Sequence, residues 1–188
     1  MESAPETWIP IRTDRLLLRE FADADFDAVH AYGSDPEVSR YMPWGPNTPD
    51  DTRDFLGRAR ANQDASPRID FNLAIEHQTD GRVIGSIGLH PYDEPNRTAE
   101  IGYCLHRAYW RQGLGYEAAR ALIDASVPAR RLHRIIATCD VRNTASFGLM
   151  EKLGMRREGC FRRDRQIKGE LRDTYLYAIL AEDWGSRS

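Results

Sequence analysis

The chain has 188 residues, of which 41% are hydrophobic and 29% charged, and its formal net charge at pH 7 is −3. This length suits one domain with a core large enough to fold alone, and the composition is that of an ordinary soluble globular protein. The charge balance argues against general nucleic-acid binding, and no apolar run approaches the roughly 18 residues of a membrane-spanning helix.

The amino terminus and the cysteines indicate the cellular compartment. Residues 1–10 predict a flexible tail that begins acidic and lacks the apolar stretch of a secretory signal. The three cysteines, Cys104, Cys139 and Cys160, are odd in number and widely spaced, which predicts free thiols in a reducing cytoplasm. The histidines show no metal-ligand spacing, so we expect neither a metal site nor a disulfide framework.

The first third of the chain predicts one short strand followed by helices. A strand at 15–20 precedes a helix at 23–33 and a helical turn at 35–42. After a loop with an aromatic residue, Thr48 is followed by proline and by acidic residues. This pattern predicts an N-cap and a helix that runs to about residue 62.

The rest of the chain predicts strands that alternate with helices. The predicted elements, in chain order, are strands at 70–76, 82–90 and 98–106, a helix from Gly113 that stops before Pro128, a strand at 133–140, a helix from Asn143 to Gly154, and strands at 155–163 and 173–180. The first two of these strands form a hairpin. The order predicts a single α+β domain over residues 11–184. The strands at 98–106 and 133–140 should run parallel, because a helix joins them.

The run from Glu100 to Ala118 is the most informative stretch of the chain. An apolar strand ends, a basic turn follows, and Gly113 and Gly115 then open an amphipathic helix. Glycines let an anion approach the main chain closely, and a helix start offers unpaired N–H groups. The run is not a dinucleotide fingerprint, since Ala118 stands where the third glycine should be, and it lacks the Gly-Lys-Ser/Thr ending of a P-loop. A different pyrophosphate ligand is indicated.

These residues resemble the GNAT superfamily of acetyl-CoA-dependent N-acetyltransferases. The resemblance is carried by 99–119, by Asp-Val-Arg-Asn-Thr-Ala-Ser at 140–146 and by Glu-Lys-Leu-Gly-Met at 151–155. The opening Thr13-Asp-Arg-Leu-Leu-Leu-Arg, the Glu-Ile-Gly-Tyr strand and the Asn-x-x-Ser helix start narrow it to the RimJ/RimL-type ribosomal-protein N-terminal acetyltransferases. The resemblance covers about residues 11–184. It implies a mixed, mostly antiparallel twisted sheet with splayed parallel central strands, flanked by helices.

The resemblance also implies an acetyl-CoA site that needs no metal. Amides of the glycine turn would hold the CoA pyrophosphate, and the strand before it would pair with the pantetheine arm in the gap between the splayed strands. The implied cofactor-binding residues are Tyr103, Cys104, Leu105, Arg111, Gln112, Gly113, Leu114, Gly115, Tyr116, Asn143 and Ser146. Trp110 replaces the Gln or Arg usual in the superfamily, as is common in this branch. Because amides do the binding, this departure scarcely affects the site. Asn143 is equally well explained as a helix cap alone.

Two residues are candidates for the proton transfers. Glu100 could act as a general base, directly or through a water, because an amine must lose a proton before it attacks a thioester. The alternative is an ordinary surface carboxylate. Ser146 could protonate, or hydrogen-bond to, the departing CoA thiolate, or it could only cap its helix. Many superfamily members use a tyrosine where this chain has Met150, which favours Ser146; Tyr103 and Tyr116 are weaker candidates.

Two aromatic residues and a basic run are candidates for partner contacts. Tyr41 and Trp44 would wall the acceptor site together with Glu100, unless they only pack in the core. The arginine-rich run at 156–165 predicts an exposed strand face or, alternatively, a site for an acidic partner such as a ribosomal surface or the adenosine phosphate.

The sequence therefore predicts an acetyl-CoA-dependent N-acetyltransferase that works by direct attack in a ternary complex. The first choice of acceptor is a protein N-terminal α-amine. The alternatives are a small-molecule amine, such as a polyamine or an aminoglycoside, and a non-catalytic acyl-CoA-binding module. A peptide acceptor needs an open groove, whereas a polyamine favours an enclosed acidic pocket. The position of the 41–50 loop should therefore discriminate between these two acceptors. The branch implies a possible homodimer; no membrane or nucleic-acid partner is expected.

Overall fold

The computed structural model describes residues 8–186. The strands are β1 (Ile11–Arg12), β2 (Leu16–Arg19), β3 (Phe71–His77), β4 (Arg82–Asp93), β5 (Thr98–Leu105), β6 (Arg134–Asp140), β7 (Arg156–Ile167) and β8 (Glu170–Leu180). The helices are α1 (Phe26–Gly33), α2 (Pro49–Gln63), α3 (Leu114–Ala129), α4 (Thr144–Lys152) and α5 (Ala181–Gly185). The predicted tail lies largely outside the described residues, although the Trp8 ring packs on Phe71 with 5.0 Å between centroids.

All eight strands form one sheet in the order β1-β2-β3-β4-β5-β6-β8-β7. Only β5 and β6 are parallel, and they pair from Thr98 opposite Arg134 to Glu100 opposite Ile136. Beyond Glu100 both strands continue without pairing to each other. They therefore leave a wedge-shaped gap, which we call the β5–β6 gap. The predicted α+β fold with a parallel central pair is confirmed.

Both faces of the sheet are covered by helices. The larger core lies under α3 and α4 and includes Phe71, Ile87 and Leu122, each completely buried. A smaller core under α1 and α2 contains Val29 and Cys104. Each such buried aliphatic or aromatic side chain stabilises the fold by about 1.5–3 kcal/mol. With both faces packed, the gap and the cavity described below lie in a rigid frame.

Local signals in the sequence explain most of the element boundaries. Thr48 caps α2 as predicted: its hydroxyl accepts from the Asp51 N–H at 3.2 Å, and the Asp51 carboxylate accepts from the Thr48 N–H at 2.8 Å. The predicted stop before Pro128 is wrong, since α3 continues to Ala129. A proline in the last turn removes only one hydrogen bond there. Residues 35–42 form hydrogen-bonded turns and no helix.

The last two strands are longer than predicted. β7 begins at Arg156 and β8 ends at Leu180, and their hairpin extends through residues 164–172. Two irregularities in the β7–β8 register break the alternation of side chains. β7 is an edge strand, and almost every residue in it is exposed. The part of β7 next to the hairpin turn therefore has no alternating hydrophobic pattern from which a strand could be predicted. The predicted exposed face of the arginine-rich run is confirmed.

Candidate active site

The glycine turn between β5 and α3 has the conformation of an anion-binding nest. Gly113 is the N-cap of α3 with a left-handed φ of 79°, and Arg111 also has a positive φ, 60°. The Glu117 N–H donates to the Gly113 carbonyl at 3.0 Å. The N–H groups of Leu114, Gly115 and Tyr116 precede it in the first turn, where a helix offers no acceptor. Successive free amides at a positive helix end can bind an anion.

Side chains from the amino-terminal segment hold this turn from outside. Arg15 donates through Nη1 to the Gln112 carbonyl at 3.0 Å and through Nε to the Glu117 carboxylate at 2.7 Å. The Thr13 hydroxyl donates to the same carboxylate at 2.6 Å. Burial alone would raise the pKa of Glu117, but these hydrogen bonds outweigh it and lower the pKa. Glu117 is therefore anionic at neutral pH and links the turn to β2.

Main-chain groups of β5 point into the β5–β6 gap. The N–H of His106 donates to a β4 carbonyl at 2.7 Å. Because N–H directions alternate along a strand, Cys104 also faces β4, whereas Tyr103 and Leu105 direct their N–H groups into the gap. The Leu105 carbonyl accepts from Trp110 Nε1 at 2.7 Å. The gap can therefore accept an added strand-like chain on its β5 side.

At the far side of the gap, β5 meets α4 through hydroxyl groups. Tyr103 Oη donates to the Ser146 carbonyl at 3.2 Å and lies 3.3 Å from Ser146 Oγ. Burial raises the pKa of Tyr103. Burial also raises the pKa of Cys139 to about 11, although a hydrogen bond with Ser146 acts to lower it. Asn143 caps α4 by accepting from the Ser146 N–H at 3.2 Å. Tyr103 and Cys139 therefore stay protonated at neutral pH beside Ser146.

The Glu100 carboxylate lies where the paired part of β5 ends. Its Oε1 accepts from the Thr138 hydroxyl of β6 at 2.6 Å. Side chains alternate along a strand, so Glu100 shares a face with Gly102 and Cys104, the face covered by α1 and α2. The carboxylate thus stands on the α1 and α2 side of the sheet, at the point where the gap opens.

A cavity of about 590 Å³ lies between α1, α2, the loop that joins them and the sheet. Its floor is formed by residues of β3, β4 and β5, and its wall by the loop from Met42 to Asn47. Trp44 lines the cavity, whereas Tyr41 and Glu100 do not; the Tyr41 ring instead lies under the Arg40 guanidinium, 5.4 Å away. The cavity is lined by residues that have ionisable side chains, namely Asp51, Asp54, Arg58, His90, Tyr32, Cys104 and Tyr103, although the Tyr103 hydroxyl points to α4 on the other face of the sheet.

Two residues are shared by the cavity and the β5–β6 gap. Tyr103 and Cys104 line the cavity, and the same two residues form the edge of the gap. A molecule in the cavity and a chain in the gap can therefore meet on β5. Residues 15–156 match the family model described as an acetyltransferase (GNAT) domain. This chain belongs to the GNAT acetyltransferase family.

Two relatives of this GNAT chain span nearly its whole length, and a third spans about half of it. It is 38% identical over 174 residues to an uncharacterized N-acetyltransferase of Bacillus subtilis, YnaD, covering 93% of this chain and 98% of the relative. It is 31% identical over 100 residues to the ribosomal-protein-serine acetyltransferase of Escherichia coli, which covers 53% of this chain and 56% of the relative. A solved GNAT-family acetyltransferase from Bacillus anthracis has a TM-score of 0.83 and 39% identity, covering 93% of this chain and 99% of that one.

GNAT acetyltransferases use acetyl-CoA as the acetyl donor. Within residues 8–186, no group of histidine, cysteine or acidic side chains has the arrangement of a metal site. The helices of the same residues include none that is long and apolar enough to span a membrane.

Sequence analysis missed several polar residues of this GNAT site. His90 lies at the cavity floor, and its Nδ1 is 2.7 Å from Oδ1 of Asp70, which stands behind the lining. Asn72 and Ser86 also line the floor. The one available signal was the alternation in β4, which sets Ser86 and His90 on the same face. This alternation identifies cavity residues only when it is known which helices cover that face of the sheet.

Proposed function

We propose that this GNAT protein transfers the acetyl group of acetyl-CoA to a primary amine by direct attack in a ternary complex. The observation that carries the proposal is the junction at Tyr103 and Cys104, where the cavity and the β5–β6 gap share β5. Acetyl-CoA would lie in the gap, and the amine would approach from the cavity. The residue roles below rest on this arrangement.

Main-chain amides supply the binding of acetyl-CoA. The nest from Arg111 to Tyr116 receives the pyrophosphate, and the pantetheine arm pairs with β5 along the gap. This places the thioester carbonyl near the Leu105 N–H, which points into the gap, whereas the Cys104 N–H points to β4. An amide aimed at the carbonyl oxygen stabilises the negative charge that develops during attack.

Side chains at the two ends of the gap move the protons. The amine nitrogen attacks the carbonyl carbon, the C–S bond breaks, and the nitrogen loses a proton that Glu100 accepts directly or through a water. The departing CoA thiolate gains a hydrogen bond or a proton from Ser146, whose hydroxyl is tied to Tyr103. A thiol of ordinary acidity is a tolerable leaving group, so a strong acid is not needed.

The first candidate acceptor is the α-amine of a protein N-terminus. The supporting observation is the likeness to the ribosomal-protein-serine acetyltransferase of Escherichia coli. The cavity volume, about 590 Å³, is within the range of small-molecule pockets and would admit the first residues of an extended peptide.

A second candidate acceptor is a small-molecule amine, and the loop position favours it. The Met42–Asn47 segment walls the cavity, and α2 contributes Asp51 and Asp54 to the lining. Carboxylates and the Trp44 ring in the same cavity would attract a cationic amine through charge and cation–π interactions.

A screen with a thiol-detecting reagent separates these acceptors. The protein is mixed with acetyl-CoA and with N-terminally free peptides, polyamines or aminoglycosides, and release of CoA is followed. Turnover with peptides alone supports the first candidate, and turnover with small amines alone supports the second. Isothermal titration with acetyl-CoA gives the independent check. Binding without thiol release from any amine would indicate a non-catalytic acyl-CoA-binding module, and no binding at high micromolar acetyl-CoA would overturn the proposal.

A further inference from the structure

His90, on the floor of the cavity, forms an ion-pair-type dyad with Asp70. Nδ1 of the imidazole lies 2.7 Å from the Asp70 carboxylate, which precedes β3, and both side chains are about one-third exposed. Among the described residues, His90 forms side-chain hydrogen bonds through Nδ1 alone. A carboxylate at Nδ1 holds the proton there, so the neutral ring keeps a lone pair on Nε2.

The backbone around His90 leaves room for Nε2 to face the cavity. A Cβ placed on Gly88 would lie 2.3 Å from Nε2, and one on Gly102 would lie 3.8 Å from it. Both glycines line the cavity. A side chain at position 88 would occupy the space of the ring. Glycine there permits the imidazole to lie across the strands, with its basic nitrogen at the cavity floor.

His90 also lies directly beside the carboxylate assigned to proton transfer. In the β4–β5 register His90 is opposite Glu100, and cross-strand neighbours have Cβ atoms about 4.5–5.5 Å apart. Glu100 binds Thr138 at the mouth of the gap and does not line the cavity. His90, unlike Glu100, lines the cavity and can therefore meet an amine bound there.

The amine nitrogen loses two protons during the reaction, so two bases can take part. An ammonium ion loses one proton to become a nucleophile, and its nitrogen loses a second when the tetrahedral intermediate becomes an amide. The thiolate takes up one proton, so one is released to solvent. We propose that His90, oriented by Asp70, accepts the first proton from the bound ammonium, and that Glu100 accepts the second. This inference rests on the proposed acetyltransferase function.

Other charged and titratable groups lie around the dyad. They are Glu100 and Cys104 on β5, Tyr32 on α1, and Asp51, Asp54 and Arg58 on α2. The acidic majority favours an ammonium ion near Nε2. Variants of His90 must therefore be compared with wild type across pH and not at one pH.

The test is the pH profile of kcat/KM for His90→Gln with the best acceptor of the amine screen. At pH 7 the variant should be slower by about 10²-fold, as for a lost general base. The deficit should shrink steadily as the pH rises toward the pKa of the acceptor, because solvent then removes the ammonium proton. Asp70→Asn should give a smaller deficit of the same shape. The exposed His133, at the start of β6, provides the matched control His133→Gln, which should follow wild type.

Nitrogen-15 spectra of the histidine side chains test the geometry without turnover. Wild type should show His90 protonated on Nδ1 when neutral, and Asp70→Asn should shift that tautomer balance. A His90→Gln profile parallel to wild type at every pH overturns the role while leaving the acetyltransferase function in place. If wild type itself releases no thiol with any amine, the proposed function and this role fail together.

Discussion

Tyr103 Oη lies 3.3 Å from Ser146 Oγ, so a hydrogen-bonded pair of hydroxyls links β5 to α4 across the open part of the gap. The two residues are 43 positions apart in the sequence. Burial raises the pKa of the tyrosine, which keeps its proton available at neutral pH. In the proposed mechanism, the pair stabilises the thiolate that leaves in the gap.

Removal of either hydroxyl should slow thiolate departure and leave CoA binding nearly unchanged. A hydrogen bond to a charged group contributes about 1.5–3 kcal/mol, so Ser146→Ala and Tyr103→Phe should each lower kcat by about 10- to 100-fold. Because the hydroxyls are coupled, the double variant should lose less than the product of the single losses. The measurements are kcat by thiol release and CoA affinity by titration calorimetry. Fully multiplicative losses would show that the two hydroxyls act independently.

Arg15 should support binding of the CoA pyrophosphate and have no effect on the transfer of the acetyl group. It braces the glycine turn through the Gln112 carbonyl and through Glu117, so Arg15→Ala should loosen the anion nest. We expect the KM for acetyl-CoA to rise by about three- to tenfold. Turnover of acetyl-pantetheine, which lacks the diphosphate, should stay unchanged.

The neighbouring Arg12 supplies the control for this experiment. Its guanidinium binds Gln78 and contacts neither the glycine turn nor Glu117. Arg12→Ala should therefore leave the KM for acetyl-CoA unaltered. Equal loss with acetyl-CoA and acetyl-pantetheine in Arg15→Ala would show a general structural effect and no specific support of the nest.

The sequence predicted those parts of the site that depend on local signals. The glycine turn, the Asn143 cap and the strand that leads to Glu100 are each set by neighbouring residues. The contacts that orient them are not local. Arg15 and Glu117 are 102 residues apart, and the His90–Asp70 pair forms only in the observed β3–β4 register. Periodicity cannot reveal such pairs, because it gives the face of a side chain and not its neighbour on another strand.

Two glycines of helical segments should respond to alanine in opposite ways. Gly113 has a φ of 79°, which disfavours any residue with a Cβ, so Gly113→Ala should lower the free energy of unfolding by about 1 kcal/mol. Gly57 lies inside α2 with nothing within 4 Å of a built Cβ. Gly57→Ala should therefore raise the stability by about 0.5–1 kcal/mol. Urea unfolding followed by circular dichroism measures both; a stabilising Gly113→Ala would contradict the strain argument.

The Arg19–Asp25 pair should make stability depend on pH in the acid range. Arg19 donates to both Asp25 oxygens, at 2.8 and 2.9 Å, and Asp25 is 7% exposed. Burial alone would raise the pKa of Asp25, but hydrogen bonds from Arg19 and from the Ala22 N–H outweigh it and lower the pKa. The folded protein thus binds the Asp25 proton more weakly than the unfolded chain. The stabilisation is complete above the unfolded pKa, about 3.9, and is lost as pH falls through the lower folded value.

Replacement by asparagine tests that assignment. Asp25→Asn should reduce the free energy of unfolding by about 2–3 kcal/mol at pH 7, because it leaves a partly buried guanidinium with one partner fewer. The difference from wild type should narrow as the pH falls from 4 toward 2. Asp23, whose side chain is 83% exposed and pairs with Arg60 at 2.9 Å, provides the control. Asp23→Asn should change stability by less than about 0.5 kcal/mol at any pH. A pH-independent loss in Asp25→Asn would show that packing, and not the charge of Asp25, stabilises this corner of the fold.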